Sequence, residues 1–122
     1  MIGALTKSIS GITKVDLDEL VQRAWPESEN VEYKAELHRE KRDQPDPWYE
    51  GKNVSDGAKK AIFKAVVAFA NTSGGRLFVG IEESSERPPG ARGIRLVPRC
   101  AVLAERIEQA VISSIDPPLT FF

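Results

Sequence analysis

Apolar and polar residues alternate strictly from Val31 to His38, V-E-Y-K-A-E-L-H. That period of two predicts a half-buried strand, with Val31, Tyr33, Ala35 and Leu37 on one face and Glu32, Lys34, Glu36 and His38 on the other. A period of 3.6 governs Ala58 to Asn71, which predicts a helix. It opens amphipathic, with Lys59, Lys60 and Lys64 off the apolar face. From Ala65 to Ala70 it is apolar all round, the pattern of a helix buried on every side. Ser55 or Asp56 is placed to cap it, and Asn71-Thr72-Ser73-Gly74-Gly75 to end it. Arg76 to Ile81, R-L-F-V-G-I, then reads as a buried strand. Val102 to Ile115 repeats Leu103, Ile107, Val111 and Ile115 every four residues and predicts a second helix, stopped by Asp116-Pro117-Pro118. Near the start, Asp16 with Glu19 resembles a capping pair, and Leu17, Leu20, Val21 and Ala24 follow on one face until Pro26. Arg39 to Gly57 reads as a long loop, and Glu82 to Arg99 as a charged connection with a short strand at Gly93 to Val97. Leu119 to Phe122 has the look of a strand beginning. The elements together predict an α+β fold, a mixed or mostly antiparallel sheet with helices packed against it.

Length and composition narrow this picture. The 122 residues suit one domain, and the 41% hydrophobic content can supply a modest core. A helical extension over residues 1–23 would precede a main domain over 24–122. The formal net charge is −1, so any affinity for polyanions must come from local clustering. One Cys and one His exclude an intrachain disulfide and speak against a zinc site. No stretch approaches membrane length and the N-terminus lacks a secretory pattern, so a cytoplasmic location is expected, with no membrane partner.

The cations fall into two groups. Lys34, His38, Arg39, Lys41 and Arg42 follow the first strand, and Arg87, Arg92, Arg95 and Arg99 lie in a stretch without any acid. Guanidinium forks suit phosphate contacts. A solvated loop explains such a run equally well. Trp48 and Tyr49 would either stack on bases or pack the long loop down. Glu32 and Lys34 share one strand face about 6.5–7 Å apart. Glu27 lies upstream, and Glu82 and Glu83 end the second strand. If the strands are neighbours, Glu27, Glu32 and Glu82 or Glu83 would converge on one Mg²⁺ or Mn²⁺, with Lys34 beside the scissile phosphate. The bland alternative is that Glu and Lys keep a strand edge soluble. A phosphate-binding P-loop is not present, because Gly74-Gly75 follows a helix and precedes a strand, with no Lys-Ser or Lys-Thr. No ATP is expected.

Two segments carry a family likeness: E-S-E-N-V-E-Y-K at 27–34 and A-F-A-N-T-S-G-G-R-L-F-V-G-I-E-E at 68–83. Together, in this order, and with Ile115 and Pro117 after the second helix, they resemble the Schlafen AlbA-like domain. The resemblance implies nucleic-acid binding, DNA first, in a bacterial-type regulator or defence protein, with no cofactor required for binding. It adds Asn71 and Arg76 to Lys34, Arg39, Arg87, Arg92, Arg95 and Arg99 as candidate contacts. A second reading is a metal-dependent endoribonuclease of Schlafen type acting on structured RNA. For that activity the family's acidic trio would map to Glu27, Glu32 and, where the family usually has Asp, Glu82 or Glu83. A third is a protein-interaction or oligomerisation module. The loop over 39–57 is long for the family. The chain also stops where the family continues with further strands, which a longer protein or a partner copy would supply.

Overall fold

The computed structural model describes residues 2–8 and 11–114, with the side chains of 111–114 excepted. The elements run α1 (Gly3–Thr6), α2 (Lys14–Gln22), β1 (Val31–Lys34), a 3-10 turn (Pro47–Glu50), α3 (Asp56–Ala70), β2 (Arg76–Val79), β3 (Ile81–Glu83), β4 (Ala91–Ile94) and α4 (Cys100–Ser114). The fold is α+β. Among the described residues β1 and β2 pair in parallel, Val31 opposite Arg76 through Lys34 opposite Val79. The hairpin of β3 and β4 is antiparallel, with Ile81 opposite Ile94 and an irregularity at Glu82 and Glu83. The expected strands Leu119 to Phe122 and the Pro117-Pro118 stop lie outside the described residues.

Several boundaries differ from the sequence reading, each for a local reason. Strand β1 ends at Lys34 rather than His38. Beyond it the Leu37 N–H donates to Tyr49 Oη at 3.1 Å, so a side chain from the loop replaces a neighbouring strand as the backbone's partner. The alternation persists as burial: Val31, Tyr33 and Leu37 are buried and Glu32, Lys34 and Glu36 half-buried. The run from Arg76 to Ile81 is two strands, because Gly80 turns the chain at φ +103°. Its N–H donates to Lys34 O and its carbonyl accepts from Arg95 N–H, each at 2.7 Å, so this one glycine joins both strand pairs. Strand β2 is half-buried rather than buried. Helix α3 is not covered on every side either. Ala58, Ile62 and Ala65 are buried, but Val67 is 45% exposed, and an open apolar groove of about 670 Å³ runs along α3, β2 and α4 past Phe69, Leu77, Leu103 and Ile107. The short strand expected at Gly93 to Val97 begins two residues earlier, at Ala91.

Helix α2 is capped one turn before the expected point. Thr13 is the N-cap, and Asp16, its third residue, accepts from Thr13 N–H at 2.9 Å in a capping box. Glu19, expected to serve that cap, accepts instead from Gly3 N–H at 3.2 Å and so ties α1 to α2.

The core has two parts. One joins Ile2, Ala4 and Leu20 of the N-terminal segment to Val31, Tyr33, Ile81 and Ala91. The other packs Leu37, Trp48 and Val54 of the loop region against Ala58, Ile62 and Leu103. Among the described residues no helix is long and apolar enough to cross a membrane.

Candidate functional site

The two sequence segments singled out above meet in space. Asn30 donates its amide to Ser73 Oγ at 3.2 Å and also to Gly74 O, while its own carbonyl accepts from Arg76 N–H at 2.8 Å. The glycines serve this junction. Gly74 sits at φ +95°, which favours glycine. A β-carbon on Gly75 would press into the Phe69 ring and come within 2.8 Å of Asn30 O. Asn71 is the C-cap of α3, with its side chain exposed.

The acidic residues divide between two environments. Glu27 is fixed where its segment crosses the β3–β4 hairpin. Its N–H donates to Pro89 O at 2.7 Å, and its Oε1 accepts from Tyr33 N–H at 2.9 Å. Glu83 meets it there. Lost hydration, then the charge of Glu27, then a hydrogen bond between the two carboxyls push Glu83 above the usual carboxylate range, with Glu32 adding to the rise and Lys34 opposing it. Glu32 keeps a 3.6 Å ion pair with Lys34. Glu27, Glu32, Lys34 and Glu83 are therefore electrostatic neighbours. Glu82 is not among them. It turns to β4, accepting from Arg95 Nε at 2.5 Å and from Arg92 Nη2 at 3.2 Å, and these two hydrogen bonds hold its carboxyl below the usual range. Strand alternation explains the split, since residues 82 and 83 point to opposite faces. Among the described residues no group of three or more His, Cys, Asp or Glu side chains stands arranged to hold a metal ion. Glu27, already holding the Tyr33 N–H, and Glu83 beside it do not fit a divalent cation as they stand.

The candidate cations also divide. Arg39, Arg92 and Arg95 form one patch, Arg39 half-buried and the other two exposed. Arg39 Nε donates to Glu36 at 2.5 Å, and the charge of Arg95 is felt at Arg39 and that of Glu36 at Arg95. Three guanidiniums thus surround two carboxylates. Arg95 gives only Nε and Arg92 only Nη2 to Glu82, and both side chains stay more than half exposed. Arg76 and Arg99 are occupied by backbone carbonyls of this chain. Arg76 donates to Ala4 O at 3.2 Å and Lys7 O at 2.6 Å, closing the C-terminal end of α1. Arg99 donates to Trp48 O at 2.8 Å and stacks on the Trp48 ring at 3.8 Å. Arg87 is exposed on the β3–β4 connection. Trp48 itself is fully buried, with Nε1 donating to Pro98 O at 2.7 Å, and Tyr49 is half-buried, so both pack the loop rather than offer a stacking platform.

Sequence spacing did not reveal Glu36 and Asn30. Glu36 was placed on the polar strand face without a role, yet it positions Arg39. Asn30 lies between motif residues and joins the two segments.

Residues 27–122 match the family described as Schlafen, AlbA_2. No solved structure matches the chain.

Proposed function

The chain belongs to the Schlafen, AlbA_2 family, and from that premise we propose that it binds the phosphate backbone of nucleic acid, DNA in the first instance, through Lys34, Arg39, Arg92 and Arg95. The observation that supports this most directly is the gathering of three guanidiniums, two exposed and one half-buried, from two separate chain segments around Glu36 and Glu82. Those carboxylates do not cancel the patch. They fix the guanidinium planes while the Arg92 and Arg95 side chains stay more than half exposed, so less side-chain freedom is lost when a phosphate arrives. Backbone contacts of this kind give affinity without sequence readout. Binding of this kind requires no cofactor. We place the activity in a regulator or defence protein, the context that the family likeness implies.

The test is a binding titration by fluorescence anisotropy, with a DNA duplex and a structured RNA, across a range of salt. Affinity should fall steeply with salt. Replacing Arg39, Arg92 and Arg95 together by Gln should flatten the slope of log K against log salt by about 2–3. An unchanged slope and affinity would remove the patch from the interface. Absence of salt-sensitive binding to either probe would favour a protein-interaction module instead.

One observation supports a second reading. The meeting of Glu27 and Glu83 beside Glu32 and Lys34 puts the acids of a family nuclease site near one another. That reading is metal-dependent RNA cleavage, and the arrangement described would have to open before it took Mg²⁺ or Mn²⁺. Incubation of the chain with tRNA and Mn²⁺, against a chelator control, decides it. Cleavage lost in Glu32→Gln with binding retained would establish it, and no cleavage in either arm would leave the acids with a positioning role alone.

A further inference from the structure

Trp48 gathers a second cationic group that the patch above does not include. Arg99 lies 3.8 Å and Arg106 5.5 Å from the centroid of its ring. Arg99 takes this place at φ +50°, a left-handed conformation that residues with a β-carbon seldom adopt. It donates Nη2 to the carbonyls of Trp48 and Lys52. Arg106 is pinned by a hydrogen bond from Nη1 to Asn53 Oδ1. Among the described residues, neither guanidinium is paired with a carboxylate, whereas Arg39, Arg92 and Arg95 all are. Arg106 also lines an open cleft of about 580 Å³ together with Asn53, Lys59 and Glu105. Lys59 has only a loose 3.9 Å contact with Asp56.

We propose that this cleft is an oxyanion site that takes a phosphodiester, with Arg106 as its principal contact. A guanidinium held by an amide and an indole is set in place before the ligand arrives, and its unused Nε and Nη2 groups form a fork that matches two phosphate oxygens. Lys59 adds charge without geometry. Arg99 adds positive potential that no carboxylate neutralises. Glu105, on the same wall, repels anions. The exposed Val102 side chain lines the same cleft and offers a nucleoside apolar surface that free phosphate cannot use, so the site favours a link within a polynucleotide over free phosphate. The inference deepens the nucleic-acid reading and rests on it, but on residues disjoint from Lys34, Arg39, Arg92 and Arg95.

The experiment is a chemical-shift titration of the ¹⁵N-labelled chain with a dinucleoside monophosphate, which has one phosphodiester. Inorganic phosphate and sodium chloride at matched ionic strength are run in parallel. The signals read are the Trp48 indole N–H, the Asn53 amide and the Arg106 Nε–H. The dinucleoside should give saturable shifts at all three sites, at lower concentration than inorganic phosphate. Arg106→Gln should weaken it about tenfold or more, and Lys14→Gln, on the exposed face of α2, should not. The Trp48 indole signal of Arg106→Gln reports that the variant is folded. Asn53→Ala, which keeps the charge but frees the guanidinium, should weaken binding to a lesser degree. No saturable shift, the same shift with chloride, tighter binding of inorganic phosphate, or full binding by Arg106→Gln would each overturn the assignment. Failure of the first patch would show separately, as an unchanged salt slope in the Arg39, Arg92 and Arg95 variant.

Discussion

Single carboxyls in this protein respond to pH in opposite senses, because their partners differ. Asp16 is buried, and Thr13 N–H first and Lys7 second hold its carboxyl below the ordinary value of 3.8. A group lowered in the folded state contributes stability above its unfolded pKa and loses it as pH falls through the folded one. Glu83 is raised above the ordinary 4.5. Its contribution is present at low pH and lost as pH rises through its folded value. Asp16→Asn should therefore lower the melting temperature at pH 7 and flatten the acid limb of the stability curve. Glu83→Gln should raise the melting temperature at pH 7 and leave it unchanged near pH 3, where the wild-type carboxyl is protonated in both states. Thermal melts across that range check both signs. Gly75 offers a steric test on the same scale. Its missing side chain makes room for Phe69 and the Asn30 carbonyl, one of them backbone, so Gly75→Ala should cost about 1–3 kcal/mol in urea unfolding.

At the scale of elements, the long loop is the main departure from expectation. Its 3-10 turn is built on Asp46, whose buried carboxylate accepts from Trp48 N–H at 3.0 Å and from Ser55 N–H at 3.2 Å. One side chain thus closes the turn and delivers the N-cap of α3. Trp48 fills the centre of the second core cluster and receives Arg99 on its ring. Trp48→Ala should cost about 3–5 kcal/mol and lower the near-ultraviolet circular dichroism. Phe69→Ala should cost less than that, because Phe69 is half-buried and lines an open groove. Parallel denaturant curves of the two variants give the order directly.

Over the whole molecule, the family match starts at residue 27 but the core does not. Ile2, Ala4 and Leu20 are 0–4% exposed and pack with Val31, Tyr33 and Ile81, and Arg76 reaches back to Ala4 and Lys7. A chain starting at Glu27 would expose that cluster and leave the Arg76 guanidinium without its carbonyls. It should unfold at markedly lower temperature than the full chain, or fail to give a cooperative transition, in a melt followed by circular dichroism. If the shortened chain melts like the full one, the N-terminal segment is an appendage and not part of the core.

Much of this protein is fixed by local sequence. The alternation at 31–37 sets which side chains of β1 turn inward, even though the ladder stops at Lys34. Ser55 marks the start of α3, and Gly74 and Gly80 mark turns that few other residues accept, because their φ values exclude a β-carbon at low cost. Residue order also brings the two family segments into view. What sequence leaves open is partnership across distance. Arg92, Arg95 and Arg99 read alike as an acid-free run, yet the first two close on Glu82 and the third on the carbonyl of Trp48, some fifty residues away. Glu82 and Glu83 are equivalent as letters. Strand pairing alone sends one to the arginines and the other to Glu27. Charge and hydrogen-bonding capacity are properties of a residue, but whether they are neutralised, buried or left facing solvent depends on which backbone segment the fold brings opposite, and that is decided only by the tertiary structure.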